Sequence, residues 1–175
     1  MKIIVFGTKR CKFCKVQQSY LKDRFNDEDW LYVDVVKDVE NLKIAASVNI
    51  DNLPTIVLLS ERNEEIFRKE GTMASDQIFH MLNVDSIPVD DSVDNKIMLS
   101  YDPKLKRGDI VKACKLNGKY LYDVKIKSCK CISTESKTIK PIEKKAYIEK
   151  GGRKDLCWIV NFLPIERDEE GCDAG

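Results

Sequence analysis

Residues 2–14 read KIIVFGTKRCKFC, and this stretch is the most informative part of the 175-residue sequence. It begins with a β-rich apolar run, Lys2 to Phe6, and it ends in two cysteines separated by two residues. From Lys12 to Phe25 apolar residues recur at spacings close to 3.6, which is typical of an amphipathic helix. The cysteine pair is therefore predicted to lie where a strand ends and a helix begins.

This position favours reactivity at the first cysteine. Unsatisfied N–H groups and the helix dipole stabilise an anion at a helix N-terminus, so Cys11 should ionise more readily than a free thiol, whose pKa is about 8.5. Lys9, Arg10 and Lys12 add positive potential. A Cys11 thiolate would attack a substrate disulfide, and Cys14 would then resolve the mixed disulfide. The sequence thus predicts two-electron thiol–disulfide exchange.

The pattern continues to alternate between strand and helix as far as about residue 82. This gives the order β-α-β-α-β-β-α and implies a mixed sheet with helices on both faces. The further strands are predicted at Trp30 to Val36, Thr55 to Leu59 and Glu65 to Lys69, and the further helices at Val39 to Val48 and Met73 to Leu82, with Ser75 as a candidate cap.

Pro54 stands directly before the third strand. Proline is tolerated at the first position of a strand because its missing N–H need not join the ladder. A cis bond there would be a functional device, whereas a trans bond would mean only that Pro54 starts the strand.

These features together resemble the thioredoxin superfamily, and specifically its short glutaredoxin-like members, over roughly residues 1–82. The resemblance implies a domain of residues 1–83 built on a four-stranded mixed sheet with flanking helices, and a disulfide oxidoreductase with Cys11 attacking and Cys14 resolving. It is carried by Ile3-Ile4-Val5-Phe6-Gly7, Cys11-Lys12-Phe13-Cys14, Tyr32-Val33-Asp34-Val35, Leu53-Pro54-Thr55 and Gly71.

The resemblance also implies how the substrate is held. Pro54 would be a cis residue facing the cysteine pair, and the backbone of Leu53 would pair with a substrate peptide or glutathione. Glutathione is the expected co-substrate, no tightly bound cofactor is expected, and a reductase of the thioredoxin type is the alternative electron donor. The expected substrate- or glutathione-binding residues are Lys9, Arg10, Lys12, Phe13, Leu53, Pro54, Gly71 and Thr72.

Three positions depart from the family pattern. The Lys12-Phe13 pair keeps only the aromatic half of the glutaredoxin motif, which leaves the redox potential open. Thr8 stands where glutaredoxins carry a basic residue. The anion-binding pattern before the last helix is reduced to Gly71-Thr72 with Asp76 downstream.

A zinc site is the competing interpretation of the C-x-x-C pair, and it needs two further ligands. Cys129 and Cys131 have C-x-C spacing and lie in the other half, while His80, the single histidine, lies in a predicted helix. We therefore expect no metal.

The other cysteines number five, and four of them fall in or beside predicted strands, where a buried apolar thiol is the default. Cys129 and Cys131 share one face by parity, so a regulatory disulfide with Cys114 or Cys157, or an internal substrate, is the alternative. Cys172 lies among acidic residues, which should raise its pKa and lower its reactivity.

Beyond residue 83 the pattern changes to turns and short strands. Residues 84–95 contain four aspartates and no basic residue, which is typical of a linker. Residues 96–165 suggest a small, basic, all-β barrel-like domain, and residues 166–175 an acidic tail. The strands are predicted at Lys96 to Ser100, Asp109 to Leu116, Lys119 to Cys131, Ile139 to Lys150 and Leu156 to Leu163, with a tight hairpin at Asn117-Gly118.

The net charge of +1 conceals strong segregation along the chain. Residues 1–90 hold 12 basic and 15 acidic side chains, whereas residues 96–154 hold 17 basic and 6 acidic ones. Such a basic module is compatible with nucleic-acid binding, because lysines can meet phosphates and interleaved aromatics can stack on bases. The alternative is a solvated lysine-rich face. The interleaved aromatics are Tyr101, Tyr120, Tyr122 and Tyr147.

The composition excludes a wholly disordered chain, and the sequence shows no membrane-spanning run or secretory signal. Seven cysteines without a dense framework fit a reducing compartment, so a cytoplasmic protein is expected. The predicted function is a glutaredoxin-like thiol–disulfide oxidoreductase whose β-domain selects a substrate or partner. The alternative is a non-catalytic thioredoxin-fold scaffold whose basic β-domain binds nucleic acid or a protein.

Overall fold

The computed structural model describes residues 2–22, 24–90, 92 and 94–165. Within these ranges the strands divide between two sheets, one in an N-terminal unit (residues 2–83) and one in a C-terminal unit (residues 84–165). The predicted tail 166–175, with Cys172, lies outside the described residues.

The N-terminal unit has the predicted order of elements, β-α-β-α-β-β-α. Its mixed sheet has the strand order β2-β1-β3-β4, with β1 parallel to β2 and the other pairs antiparallel. The four-stranded mixed sheet with flanking helices is therefore confirmed. The elements are β1 (Lys2–Gly7), α1 (Lys12–Leu21), β2 (Trp30–Asp34), α2 (Val39–Ser47), β3 (Thr55–Leu59), β4 (Glu65–Glu70) and α3 (Ser75–Leu82).

Both faces of this sheet are covered, because β1 and β3 alternate between two apolar clusters. Ile3 and Val5 point to the side of α1 and α3, where they pack with Leu21 and Ile78. Phe6 points to the opposite side, into a second cluster beneath α2.

Ser75 does not cap α3, contrary to expectation, because the residue before the helix is Ala74. The Ser75 hydroxyl donates to the carbonyl of Tyr20, and its backbone N–H donates to the carbonyl of Lys150 at 2.9 Å. The hydroxyl also lies 3.3 Å from the same Lys150 carbonyl, so Ser75 helps to join the two units instead of closing its own helix.

The C-terminal unit is an open, five-stranded sheet with the order β5-β7-β8-β9-β6. Four of its five predicted strands are present, and the β7–β8 hairpin turns at Gly118, whose φ of +84° favours glycine. Its elements are β5 (Ser86–Pro88), β6 (Lys96–Leu99), β7 (Ile110–Cys114), β8 (Tyr120–Ser133), α4 (Pro141–Glu149) and β9 (Leu156–Pro164).

The prediction of a strand from Ile139 to Lys150 is wrong, because this segment forms helix α4. Pro141 occupies the first helical turn, where its fixed φ and missing N–H do no harm. The Glu143 carboxylate accepts from the Lys140 N–H at 2.7 Å and completes half of a capping box. Tyr147 then anchors the helix to the sheet with 1% of its surface exposed.

The prediction of an all-β barrel is accordingly also wrong for the described residues. The sheet does not close, because β5 and β6 are its two edges. Helix α4 covers one face through Tyr147, which packs with Met98, Cys157 and Ile159.

Residues 84–95, whose composition predicted a linker, contain strand β5. This strand pairs in parallel with β7, and Ile87 and Val89 are buried in the core of the second sheet. The segment thus belongs to the structure of the C-terminal unit.

Helix α3 lies between the two units and contacts both. Asp76 is completely buried, and its carboxylate accepts from the Ser100 N–H at 2.7 Å and from the Ser100 hydroxyl at 2.6 Å. Phe79 packs with Cys114 and Leu116 of the C-terminal unit. The two units therefore share a buried interface.

No helix within the described ranges has the length and apolar character that crossing a membrane requires.

Candidate active site

Cys11 and Cys14 lie at the junction of β1 and α1 and are joined by a disulfide, with their Cα atoms 5.2 Å apart. Cys11 is the N-cap of α1, with extended backbone angles. The Cys14 backbone N–H donates to Cys11 Sγ at 3.1 Å. The helix N-terminus thus directs an N–H donor at this sulfur, as anion stabilisation requires.

The two sulfurs differ in accessibility. Cys14 is completely buried, whereas Cys11 is only half-buried. A substrate can therefore approach Cys11 more easily than Cys14. This asymmetry matches the roles expected of an attacking and a resolving cysteine.

The loop before β3 lies against the cysteine pair. The Leu53–Pro54 peptide bond is cis, and the Leu53 carbonyl oxygen is 4.0 Å from Cys11 Sγ. The Pro54 carbonyl accepts from the Gly71 N–H at 2.7 Å, so Gly71 is held at the same loop with φ +82°. Of the residues expected from the resemblance, Leu53 thus lies near Cys11, and Gly71 is bonded to Pro54 of the same loop.

The remaining predicted site residues differ in how exposed they are. Lys9 and Arg10 are exposed in the turn before α1, and neither they nor Lys12 form an ion pair within the described chain. Phe13, between the cysteines, is 64% exposed. Thr72 follows Gly71 and is half-buried.

Asp76 does not contribute to an anion site at the start of α3. Its carboxylate already accepts both Ser100 donors and the Gln77 N–H, in a fully buried position. Sequence reasoning could not anticipate this, because its main partner lies 24 residues further along the chain.

Two polar side chains close to Cys14, one in sequence and one in space, were not predicted from the sequence. Gln17 is fully buried one turn after Cys14, and its Oε1 accepts from the Met73 N–H at 2.7 Å. Tyr32 projects from β2 toward the space above Gly7, because a Cβ on Gly7 would lie 2.7 Å from the Tyr32 hydroxyl and 3.0 Å from Cys14 Cβ. The sequence signal that could have indicated Tyr32 was a glycine in β1 together with a tyrosine in β2 on the same face of the sheet.

The cysteines of the C-terminal unit are all free thiols within the described residues. Cys129 lies opposite Val160 and Cys131 opposite Trp158, whereas Cys157 lies opposite Ile132 on the other face of the sheet. Burial raises the pKa of Cys129 and of Cys157 to about 11. These two thiols lack the helix N-terminus and the N–H donor that Cys11 has.

The single histidine is engaged by an aromatic contact. The His80 ring stacks on Tyr101 at a centroid distance of 4.4 Å, and burial lowers its pKa. Among the described residues, no group of three or more His, Cys, Asp or Glu side chains is arranged to hold a metal ion.

The tyrosines of the basic unit are mostly packed into the interior. Tyr147 is buried, and Tyr101 and Tyr122 pack against the main core of the second sheet. Tyr120 is 38% exposed. The interleaving of aromatic and basic residues in the sequence thus does not produce a row of exposed rings.

No protein-family model matches the chain, and no curated protein matches it. Three solved structures are similar to it. A malarial protein is 24% identical over 46% of this chain and 90% of its own, with a TM-score of 0.39. Thioredoxin 1 from Thermosipho africanus TCF52B is 26% identical over 47% and 90%, with a TM-score of 0.37.

The third structure, a thioredoxin-fold protein from Helicobacter pylori, is 22% identical over 44% of this chain and 63% of its own, with a TM-score of 0.36. Similarity at these TM-scores supports no conclusion about activity. The N-terminal unit itself has the strand order β2-β1-β3-β4, a C-x-x-C pair at a helix N-terminus and a cis bond before β3.

Proposed function

We propose that the protein is a thiol–disulfide oxidoreductase that uses the Cys11–Cys14 dithiol. The observation that supports this most directly is the geometry of Cys11, which is accessible, caps α1 and receives the Cys14 N–H at 3.1 Å. Cys14 lies buried directly behind it, in bonding distance.

The reaction proceeds in two steps. The Cys11 thiolate attacks one sulfur of the substrate disulfide, forms a mixed disulfide and releases the first substrate thiolate, which takes a proton from water. Cys14 then attacks Cys11 Sγ, the bond from Cys11 to the substrate breaks, and the second substrate thiol leaves with the proton that Cys14 gave up. The dithiol has lost two electrons, and the substrate disulfide has gained them.

The substrate would bind along the Leu53 loop. The Leu53 carbonyl is next to Cys11 and is positioned to meet the backbone of an extended peptide or of glutathione. Phe13, Pro54, Gly71 and Thr72 would form the walls of this site. Lys9, Arg10 and Lys12 form no ion pair within the described residues and would attract a carboxylate, which suits glutathione as the co-substrate.

The test is turnover by the purified chain with a protein disulfide and with a glutathione mixed disulfide, each coupled to glutathione plus its reductase or to a thioredoxin reductase. We expect turnover, and glutathione coupling would identify the glutaredoxin-like type.

Replacing Lys9 and Arg10 by glutamine should raise KM for the glutathione substrate several-fold, because two unpaired cations beside the site are lost. Lys15→Gln, an exposed cation one turn into α1, is the matched control. If the purified chain turns over neither substrate with either electron donor, the proposal is contradicted.

A second candidate function is supported by the charge of the C-terminal unit. Lys112 on β7 and Lys125, Lys127 and Lys130 on β8 are exposed and form no ion pair within the described residues. Other lysines of this unit are paired, for example Lys144 with Glu135. Unpaired cations along one long strand favour a polyanion such as nucleic acid, held by phosphate contacts without aromatic stacking.

This candidate predicts salt-dependent binding of a labelled single-stranded oligonucleotide, measured by fluorescence anisotropy. Replacing Lys125, Lys127 and Lys130 by glutamine should weaken binding and reduce the salt slope by about two, since each lost phosphate contact on a single strand is worth about 0.7. The control replaces Lys140, Lys144 and Lys145, which lie in ion pairs. Binding that is absent or independent of salt contradicts the candidate.

A further inference from the structure

The Tyr32 hydroxyl is buried beneath the cysteine pair and has no hydrogen-bond partner among the described residues. Its position follows from Gly7, the residue of β1 that lies nearest. A Cβ on Gly7 would be 2.7 Å from the hydroxyl oxygen, 2.9 Å from the ring and 3.0 Å from Cys14 Cβ. All three distances are measured from the same Cβ position. The phenol and the Cys14 side chain are therefore neighbours across the space that Gly7 leaves open.

A buried hydroxyl without a partner lowers the stability of the folded state that contains it. Such a group is explained if it gains a partner in another state of the protein. Here the two cysteines are oxidised, and a disulfide sulfur is a weak acceptor. When the disulfide is reduced, Cys14 must become a thiolate in order to attack Cys11. A buried thiolate is a much stronger acceptor, and the Tyr32 phenol beside the Cys14 side chain can donate to it.

We infer that Tyr32 is a catalytic residue of the resolving step, donating a hydrogen bond from its hydroxyl to the Cys14 sulfur as that sulfur becomes anionic. This inference rests on the proposed dithiol mechanism. Tyr32 keeps its own proton throughout. The Cys14 proton ends on the departing substrate thiol, the Cys11–substrate bond breaks, and the Cys11–Cys14 bond forms.

The surroundings of Tyr32 suit a donor and not a base. Burial, and next the carboxylate of Asp34, raise the pKa of Tyr32. Asp34 lies two residues further along β2 on the same face, opposite Gly7, and is itself buried. The phenol therefore remains protonated at neutral pH and has a hydrogen to donate.

The experiment separates the two steps with an aromatic disulfide that releases a coloured thiol at each of them. The reduced protein carries Cys131→Ser and Cys172→Ser, so that the exposed thiol and the thiol of the tail do not contribute. The first release reports attack by Cys11, and the second reports resolution by Cys14. Tyr32→Phe removes only the hydroxyl, and Tyr101→Phe is the matched control, because it removes another buried, unpartnered phenol oxygen.

We expect Tyr32→Phe to leave the first release within twofold and to slow the second by about three- to tenfold. A hydrogen bond to a charged group stabilises the thiolate, while the lower basicity of that thiolate offsets part of the gain in rate. Tyr101→Phe should change neither rate. The oxidised form of Tyr32→Phe should unfold at the same urea concentration as the parent or a higher one, since the lost hydroxyl has no partner there.

An unchanged second release, or equal slowing of both releases, would overturn the role of Tyr32 while leaving the dithiol mechanism in place. A parent protein that releases only one thiol would instead overturn the resolving step itself, and the role of Tyr32 with it.

Discussion

Cys11→Ser should abolish disulfide reduction, whereas Cys14→Ser should stop the reaction halfway. A serine hydroxyl does not ionise near neutral pH, so the variant loses the nucleophile that α1 stabilises through the Cys14 N–H. The Cys14→Ser protein keeps Cys11 and its helix N-terminus but has no thiol to release the substrate. It should accumulate mixed disulfides, which intact-protein mass spectrometry detects as adducts with the mass of the substrate portion that stays bonded to Cys11.

The matched control for both variants is Cys131→Ser, which removes an exposed thiol from the C-terminal unit. This variant should reduce disulfides at the parental rate. Cys14→Ser that still turns over a glutathione mixed disulfide would show that one thiol is sufficient for that substrate. Full activity of Cys11→Ser would contradict the proposed function.

Asp76→Ala should destabilise the protein by about 3 kcal/mol, because it leaves two buried donors of Ser100 without an acceptor. The measurement is urea unfolding followed by circular dichroism. Ser100→Ala, which removes only the hydroxyl, should cost about half as much. Asp85→Ala is the surface control, since Asp85 is exposed on the segment after α3.

The same experiment tests whether the units unfold together. The wild-type chain should show one transition, because α3 is packed into both units. Asp76→Ala should weaken this coupling first at the interface, so the transition should broaden or divide. An Asp76→Ala protein as stable as Asp85→Ala would show that the Ser100 hydrogen bonds contribute nothing to the interface.

Much of the N-terminal unit was predictable from local patterns. Strand β3 has the predicted bounds, because a run of apolar β-branched and aliphatic residues follows the turn at Pro54. Helix α1 is shorter than predicted, since Lys22 leaves the helical region with ψ 139°. The periodicity indicated the element correctly but could not locate its end.

The errors in the C-terminal unit have two different causes. Helix α4 had local signals, Pro141 at its start and Glu143 two residues later, and they were outweighed by the strand-like residues around them. Strand β5 had none, because Ile87 and Val89 are buried by pairing with β7, more than twenty residues away. Composition alone makes such a segment look like a linker.

The residues of the candidate site also differ in whether the sequence could predict them. Cys11, Cys14 and Pro54 were recognisable because each stands at a boundary between a strand and a turn or helix. Tyr32 and the Asp76–Ser100 contact were not, because their significance depends on which residues the fold places opposite them.

The buried position of α3 has a consequence for how the C-terminal unit could select substrates. A module on a flexible tether favours its partners by raising their effective concentration near the active site over a range of distances and angles. With Asp76 and Phe79 of α3 packed against the C-terminal unit, the second sheet has no such freedom. Any selectivity that it confers must come from a surface of fixed shape and charge. Such a surface admits a substrate only in orientations that do not collide with it.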